Sequence, residues 1–318
     1  MNIKLKKISL IFSFYNEEPV FDELISRVEK VFCDLEYNYE LIFINDNSTD
    51  NSLKKLIKIR EGNKKIKIIN MSRRFGSPSC VIAGFRNASG DAIIYMDSDL
   101  QDPPEIIPKL IKEWNNGFEV VHTTRTKREG EKFIKLWVTE KAYKVINWFS
   151  DINIPKNTGD FKLLSRKAVN SILELEEDDP FIRGLSIWIG FKQTKVYYVR
   201  EPRLTGDTKY PSHGISGTSI KELIKGISSF SLIPLYFSLF VGLVVSFLSF
   251  LFLTYILISK IFFSHHLPGW SALMITILFL GGIILFTIGI LGVYVGKIHQ
   301  DIKRRPKFII SEKIGFRD

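Results

Sequence analysis

The chain has 318 residues, with 44 Lys and Arg against 34 Asp and Glu, so its formal net charge is +10. Hydrophobic residues make up 45% of the sequence and aromatic residues 13%. This composition excludes a disordered chain, which lacks the apolar surface needed for a core. Of the two cysteines, Cys33 and Cys80, neither has metal-ligand spacing. We therefore expect no disulfide scaffold and no zinc site, and two buried, reduced thiols.

Short apolar runs rich in β-branched residues alternate with amphipathic segments over the first half of the chain. The predicted strands are 8–14, 40–44, 66–71, 92–96 and 118–122. Between the first two strands, one face of a helix is marked by Val20, Leu24, Val28, Val31 and Leu35. Alternation of strands and helices predicts an α/β domain with a mostly parallel sheet that is covered on both faces.

Acidic side chains follow three of the predicted strands. The sequences at these strand ends are YNEE (15–18), NDNSTD (45–50) and DSDLQDPP (97–104). Ligands of parallel α/β sheets bind beyond the carboxyl ends of the strands, so these residues are candidates for a site. No Gly-rich phosphate-binding loop follows any strand, which excludes a dinucleotide fingerprint and a P-loop.

Two uncharged apolar stretches, about 232–259 and 270–295, lie in the last third of the chain. Each exceeds the roughly 20 residues that a helix needs to cross a hydrocarbon core of about 30 Å. Because the link between them is short, we predict a transmembrane hairpin within 231–296. Basic residues flank the hairpin, and the positive-inside rule then places both chain ends in the cytoplasm.

Two further stretches are predicted to lie in the headgroup layer. Residues 133–149 combine aromatic and basic side chains, and 216–230 carries apolar residues at helical spacing just before the first span. For 133–149, ordinary packing against the globular domain is the alternative. We assign 1–215 to a cytoplasmic domain and 297–318 to a basic cytoplasmic tail. The basic residues lie beside the two spans and do not belong to a nucleic-acid recognition motif, so no nucleic-acid partner is expected.

Asp97 and Asp99 are separated by one residue at the end of a predicted strand. Two such carboxylates can converge on a hard divalent cation, with diphosphate oxygens completing its coordination, as is usual for Mg²⁺. Alternatively, the acidic residues only cap the helix predicted near Pro104, where negative charge is favourable. The two other acidic strand ends and the membrane hairpin favour a Mg²⁺ or Mn²⁺ site over a cap.

Six motifs in order, together with the hairpin, resemble the family 2 glycosyltransferases of the polyprenyl-phosphate branch. The motifs are YNEE (15–18), NDNSTD (45–50), DSDLQDPPE (97–105), GDFKL (159–163), RGL (183–185) and GDTKY (206–210). This branch includes dolichyl-phosphate mannose synthases and bactoprenol glucosyltransferases. The resemblance covers nearly the whole chain. It implies a GT-A-type nucleotide-sugar domain with a mostly parallel sheet, followed by interfacial helices and a two-helix transmembrane hairpin.

The resemblance also implies roles for individual residues. The implied pocket for the base and ribose consists of Tyr15, Glu17 and Asp46. The implied metal and diphosphate site consists of Asp97, Asp99 and Gln101. The implied acceptor-phosphate ligands are Arg125 and Arg128, and the implied clamps on the leaving diphosphate or acceptor phosphate are Arg203 and Lys209, with Arg200 as a weaker candidate. Asp160 is implied to lie beside the transferred sugar or the acceptor phosphate. The sequence departs from the family pattern at Arg74, where Asn is frequent, and at Lys162, where Arg is commoner.

A lipid phosphate is already an anion near neutral pH, so its attack on an anomeric carbon needs alignment and charge compensation more than a base. Arginine suits this task because its planar fork meets two phosphate oxygens. General-base catalysis by Asp160 is thus a hypothesis, and orienting the sugar or an arginine is its alternative. A single displacement predicts inversion at the anomeric carbon.

We therefore expect a multi-pass protein of the bacterial plasma membrane that transfers glucose from UDP-glucose to an undecaprenyl-type polyprenyl phosphate. GDP-mannose, a UDP-4-amino-arabinose derivative and a UDP-N-acetylhexosamine remain open as donors. A processive polysaccharide synthase would carry a Q-x-x-R-W element, which residues 183–191 lack. An inactive membrane scaffold is the remaining alternative. The interfacial helices and the two spans offer packing surface, so we expect a homo-oligomer.

Overall fold

The computed structural model describes residues 6–127, 158–175, 177, 180–201, 229, 231–263 and 269–316. Within these residues, eight strands form one sheet in the order β7-β5-β6-β4-β1-β2-β3-β8. The strands are β1 (Lys7–Phe14), β2 (Asn38–Asn45), β3 (Ile66–Met71), β4 (Ala92–Asp97), β5 (Val120–Lys127), β6 (Thr158–Ser165), β7 (Gln193–Val199) and β8 (Ile310–Ile314).

The sheet is mostly parallel, as the alternation of strands and helices predicts. Strand β1 pairs in parallel with β2 and β4, β2 with β3, and β5 with β7. Strand β6 runs antiparallel between β4 and β5, and β8 runs antiparallel to β3. The five predicted strands are all present, whereas β6, β7 and β8 were not predicted.

Helices cover both faces of the sheet and create two hydrophobic cores. The helices of this domain are α1 (Phe21–Cys33), α2 (Ser52–Gly62), α3 (Ser77–Asn87), α4 (Ile107–Asn115), α5 (Arg166–Glu174) and α6 (Ile182–Trp188), with short 3-10 turns at Glu18–Val20 and Pro104–Ile106. One core lies under α1 and α4, and the other under α3 and α5. The apolar face predicted for α1 is confirmed, because Leu24 and Val28 are fully buried in the first core.

The two cysteines have different environments. Cys80 is buried in the second core, and Cys33 is exposed at the end of α1. The expectation of two buried thiols is therefore wrong for Cys33. The reason is helical periodicity, since the preceding residue, Phe32, takes the core-facing position in the last turn of α1.

Two long apolar helices, α7 (Ile233–Phe263) and α8 (Trp270–Ile302), follow the sheet domain. The stretches Ile233–Phe252 and Phe279–Ile302 are long and apolar enough to cross a membrane, and neither is buried by the rest of the protein. The core helix of a soluble protein would be buried, and a signal sequence would lie near the N-terminus, so these two stretches differ from both. Helix α8 extends to Ile302, beyond the predicted end at 295.

The chain after α8 returns to the sheet. Strand β8 covers the edge of β3, and the backbone N–H of Ser72 donates to the carbonyl of Ile309. Phe308, Ile310 and Phe316 pack against the second core. The expectation of a basic tail over 297–318 misses this strand because exposed polar residues in the middle of β8 hide its apolar ends. The predicted interfacial stretch 133–149, and all of 216–230 except residue 229, lie outside the described residues.

Glu40 ties together the strand ends opposite the carboxyl edge of the sheet. Its buried carboxylate accepts hydrogen bonds from the Nζ atoms of Lys7 and Lys67, both at 2.8 Å, and from Ser9 Oγ at 2.6 Å. Burial opposes ionisation of Glu40, but the hydrogen bonds from Lys67, Lys7 and Ser9 outweigh it and lower its pKa to about 2.

This pKa predicts how stability depends on pH. The carboxylate of Glu40 stabilises the fold fully above the unfolded-state pKa of about 4.5, and the contribution is lost as pH falls toward 2. We expect Glu40→Gln to cost about 2–3 kcal/mol at pH 7, and less at pH 3, because two lysines lose their partner. Thermal unfolding of the full chain, followed by tryptophan fluorescence, measures this. Glu23→Gln, at an exposed position of α1, is the control. An equal effect of Glu40→Gln at both pH values would contradict the assignment.

Candidate functional site

The acidic residues singled out from the sequence meet at the carboxyl edge of the sheet. Strands β1, β2 and β4 are parallel, so the residues after Phe14, Asn45 and Asp97 lie at the same edge. Strand β6 runs the opposite way, and its beginning, with Asp160, therefore reaches this edge too. The sequence could not show this, because β6 was not among the predicted strands.

Four carboxylates form a cluster at this edge, consisting of Asp97, Asp99, Asp102 and Asp160. Burial and the negative charges of the other three raise the pKa of Asp97 to about 7. The Tyr95 hydroxyl donates to Asp97 Oδ1 at 3.0 Å and partly offsets this. Because the neighbouring carboxylates contribute to this shift, a cation bound among them would favour the ionised form of Asp97.

Asp97 and Asp99 fit a divalent cation that is shared with a phosphorylated ligand. Among the residues that the structure describes, no group of three or more His, Cys, Asp or Glu side chains could hold a metal by itself. Mg²⁺ does not need such a group, because it usually binds through one or two carboxylates and substrate phosphates. The chemistry of the pair and the raised pKa of Asp97 therefore suit a cation that arrives with its ligand.

The alternative interpretation, that these acidic residues cap a helix, is not supported. The 3-10 turn at Pro104–Ile106 and helix α4 both begin without a side-chain hydrogen bond from the N-cap residue. Asp99 Oδ1 instead accepts from the backbone N–H of Gln101 at 3.2 Å, within the loop itself.

The loops at this edge turn through left-handed backbone conformations. Asn16, Asn47 and Leu100 have φ angles of 55°, 58° and 58°. Asparagine tolerates this region, but for a leucine it costs free energy and persists only where the surroundings hold it. Leu100 is fully buried in the first core, and this anchor fixes the positions of Asp99 and Gln101 on either side.

Gln101 occupies a different position from the one expected of a metal ligand. Its side-chain oxygen accepts a hydrogen bond from Arg200 Nη2, and its backbone carbonyl accepts from the N–H of Glu201 at 3.0 Å. Glu201 in turn pairs with Arg27 of α1 at 3.0 Å. Gln101 thus links the acidic loop to the chain after β7, and the structure does not support it as a ligand of the cation.

Asp160 is held by Arg183 from the beginning of α6. The guanidinium makes two contacts with the carboxylate, Nη2 to Oδ2 at 2.7 Å and Nε to Oδ1 at 3.3 Å. Burial opposes ionisation of Asp160, but the positive charges of Arg183, Lys162 and Arg125 outweigh it and lower its pKa. A carboxylate paired in this way is a weak base. The geometry therefore favours the alternative that Asp160 orients an arginine over general-base catalysis.

Arg125 lies on β5 and contacts Asp102 of the carboxylate cluster, whereas the resemblance implied that it binds the acceptor phosphate. Its side chain is 14% exposed, with Nη2 3.5 Å from Asp102 Oδ1 and Nε donating to the Tyr198 hydroxyl at 3.0 Å. The Tyr198 hydroxyl also donates to Asp102. The guanidinium lies against Gly159, where an added Cβ would be 3.1 Å from Nη2. The parallel pairing of β5 with β7 sets Arg125 opposite Tyr198, a contact that sequence reasoning missed.

The residues expected around the nucleotide base lie together at the ends of β1 and β2. Both carboxylate oxygens of Asp46 accept backbone N–H groups, from Phe75 at 2.7 Å and Gly76 at 3.0 Å, and so fix the loop after β3. Arg74 of this loop stacks on the Tyr15 ring, with 4.1 Å between guanidinium and ring centroid. Glu17 is buried, and its backbone N–H donates to Ser52 Oγ.

Three of the expected phosphate-binding cations, Arg128, Arg203 and Lys209, lie outside the described residues. Sequence reasoning also missed two groups that it could have weighed. Asp102 belongs to the same acidic motif as Asp97, and Arg183 belongs to the RGL motif, but neither was given a role. Their spacing within the motifs was the available signal.

Comparison with known proteins agrees with this geometry. The family model described as Glycosyl transferase family 2 matches residues 9–173. An uncharacterized glycosyltransferase of Synechocystis is 40% identical over 309 residues, which is 97% of this chain and 96% of the relative. A prophage bactoprenol glucosyl transferase homolog of Escherichia coli is 37% identical, over 96% of this chain and 98% of the relative.

Among solved structures, glucosyl-3-phosphoglycerate synthase from Mycobacterium tuberculosis, in complex with phosphoglyceric acid, aligns with a TM-score of 0.48 and 20% identity, over 70% of this chain and 79% of that chain. The family model covers all four carboxylates of the cluster, and the two relatives match nearly the full chain. The protein belongs to glycosyl transferase family 2 and is a glycosyltransferase with a GT-A-type fold.

Proposed function

We propose that the protein transfers a sugar from a nucleotide sugar to the phosphate of a membrane polyprenyl phosphate. The observation that carries this proposal is the carboxylate cluster at the sheet edge, in a chain with two unburied apolar helices. The cluster suits a phosphorylated donor that brings a cation, and the helices suit an acceptor that resides in a membrane. The near full-length likeness to a protein named as a bactoprenol glucosyl transferase homolog supports the same acceptor.

In the proposed site, Asp97 and Asp99 hold Mg²⁺ or Mn²⁺, which when bound offsets negative charge on the donor's diphosphate. The other residues of the site position the donor. Tyr15, Glu17 and Asp46 border the nucleotide, with Asp46 fixing the loop that carries Arg74. Arg128, Arg203 and Lys209 are proposed as additional ligands of phosphate groups.

The acceptor phosphate attacks the anomeric carbon without needing a base, because it is an anion near neutral pH. The ionised pair of Asp160 and Arg183 is proposed to orient the sugar or the incoming phosphate. Arg125 acts from below by holding Asp102 and Tyr198 in place. Alignment and charge compensation then account for most of the rate acceleration.

The sheet domain and both chain ends are proposed to face the cytoplasm of a bacterium, with α7 and α8 in the plasma membrane. Lys303, Arg304 and Arg305 are exposed directly after α8, on the side from which the chain returns to β8. The positive-inside rule favours the cytoplasm for such a cluster. The apolar surface of the two spans also suits a homo-oligomer, in which copies pack within the membrane.

UDP-glucose is the proposed donor, because two relatives that match nearly the full chain, from Escherichia coli and Shigella flexneri, are named as glucosyl transferases. GDP-mannose, a UDP-4-amino-arabinose derivative and a UDP-N-acetylhexosamine are the alternatives that a donor screen separates.

The screen combines the full-length protein in detergent or lipid, a polyprenyl phosphate, and Mg²⁺ or Mn²⁺ with each nucleotide sugar in turn. We expect lipid-linked sugar from UDP-glucose, and a decrease of about 100-fold or more for Asp99→Ala because the cation loses a ligand. Asp34→Ala, at an exposed position after α1, is the matched control and should keep full activity. Product from another donor would show that the transferred sugar is not glucose. Folded protein without product from any donor would contradict the proposal.

The stereochemistry of the product tests the single displacement. UDP-glucose carries an α-linked sugar, so direct attack by the acceptor phosphate should give a β-linked product. The coupling constant of the anomeric proton, measured by NMR on the isolated glycolipid, distinguishes the two configurations. An α-linked product would contradict a single displacement and would require a second nucleophile.

A further inference from the structure

A row of buried titratable side chains crosses the sheet one layer beneath the carboxylate cluster. Tyr95 on β4, Lys162 on β6 and His122 on β5 stand opposite one another in register. All three are nearly or fully buried, and Lys162 is 0% exposed. Asp160 lies two residues before Lys162, and therefore on the same face of β6.

Lys162 is unusual because a buried ammonium group destabilises a fold unless its surroundings compensate. Its Nζ donates to Ser186 Oγ at 3.0 Å, and burial lowers its pKa to about 8, against the opposing charge of Asp160. An apolar side chain of similar length would fill the same volume without the desolvation penalty. Packing alone therefore does not explain a lysine at this position, and we look for the effect of its ammonium group on the residues that it contacts.

That effect is on α6, the short helix that carries Arg183. The N-cap residue of α6, Phe181, makes no side-chain capping hydrogen bond. Ser186 Oγ, besides accepting from Lys162, donates to the carbonyl of Arg183 at 2.9 Å. A continuous chain of contacts therefore runs from Lys162 through Ser186 to Arg183, and from Arg183 back to Asp160 on the strand of Lys162.

Partly buried polar contacts also join this helix to β7 and β5, and one of them is the donation from Gln193 Nε2 to the carbonyl of Ser186 at 3.3 Å. Gln193 of β7 donates from Nε2 to the carbonyl of Ile187 at 3.1 Å, and its Oε1 contacts His122 Nε2 at 2.8 Å. Burial, and then the charge of Lys162, lower the pKa of His122 to about 4. His122 is therefore neutral at physiological pH and leaves Lys162 as the cation of the buried row.

We propose that Lys162 is a positioning residue for sugar transfer: through Ser186 it fixes the beginning of α6, so that Arg183 holds Asp160 in the orientation that the transfer reaction needs. The inference rests on the proposed function for its kinetic readout. It predicts an effect on the transfer step and not on the binding of the nucleotide, whose proposed pocket lies on β1 and β2.

The test is a double-mutant cycle on the full chain with Lys162→Met, Ser186→Ala and the double variant. Methionine keeps the length of the side chain and removes its charge. We expect each single variant to lower kcat about tenfold or more while the nucleotide Kd stays within about twofold. The double variant should be no slower than Lys162→Met, because both changes break the same chain of contacts. Lys195→Met, at an exposed position in register with His122, is the matched control.

A purely structural role would give a different pattern, in which thermal stability falls while kcat of the folded fraction is unchanged. That pattern, or additive losses in kcat, would overturn the inference. If Lys162→Met does not fold, Ser186→Ala alone decides, because it removes one oxygen and should still lower kcat. Absence of transfer by the wild-type protein would refute the proposed function before any variant is compared. An active wild-type with a fully active Ser186→Ala variant would refute this inference alone.

Discussion

The carboxylates at the sheet edge repel one another, and the residues around them have to compensate this negative charge. Arg183 compensates Asp160 and Arg125 compensates Asp102, each from an element that packs behind the edge. In the part of the chain that the structure describes, Asp97 and Asp99 have no basic side chain within 4 Å. The protein therefore balances Asp160 and Asp102 itself and leaves Asp97 and Asp99 for a cation that enters with a ligand.

Further contacts hold the residues around the carboxylates in fixed positions. Arg125 is fixed by Tyr198 of a neighbouring strand, and Asp99 and Gln101 are fixed by the strained backbone of Leu100 between them. A site that is arranged in advance does not have to reorganise when a phosphorylated ligand binds. Lys162 and Ser186, one layer deeper, are proposed to fix Arg183 in the same way.

The two apolar helices are joined to this domain on both sides. The chain enters α7 after the segment that follows β7, and it leaves α8 to become β8 at the opposite edge of the sheet. Tyr294 of α8 also donates to the backbone carbonyl of Ser231 at 2.7 Å, close to the beginning of α7. A domain that is held at both ends of a helical hairpin keeps a restricted orientation relative to the helices, which suits a reaction at the surface of a membrane.

The sequence predicted those features that depend on local pattern. The parallel strands, the acidic residues at their ends and the two apolar helices follow from periodicity and composition. The partners of Arg125, Gln101 and Lys162 could not be predicted, because they come from β7, from the residue directly after it and from α6, which lie 24 to 99 residues away in the chain. Strand β8 was missed because its centre is polar. The exposure of Cys33 was missed because it lies one position after Phe32, which takes the core-facing position in the last turn of α1.

The most direct test of a cation site at Asp97 and Asp99 is crystallographic. The full-length protein would be crystallised with Mn²⁺ and UDP, and anomalous scattering would be recorded at the manganese absorption edge. The account predicts one strong peak within bonding distance of an oxygen of Asp97 or Asp99 and of the UDP diphosphate. UDP bound at this edge without a peak, or a peak at another group of residues, would contradict the account.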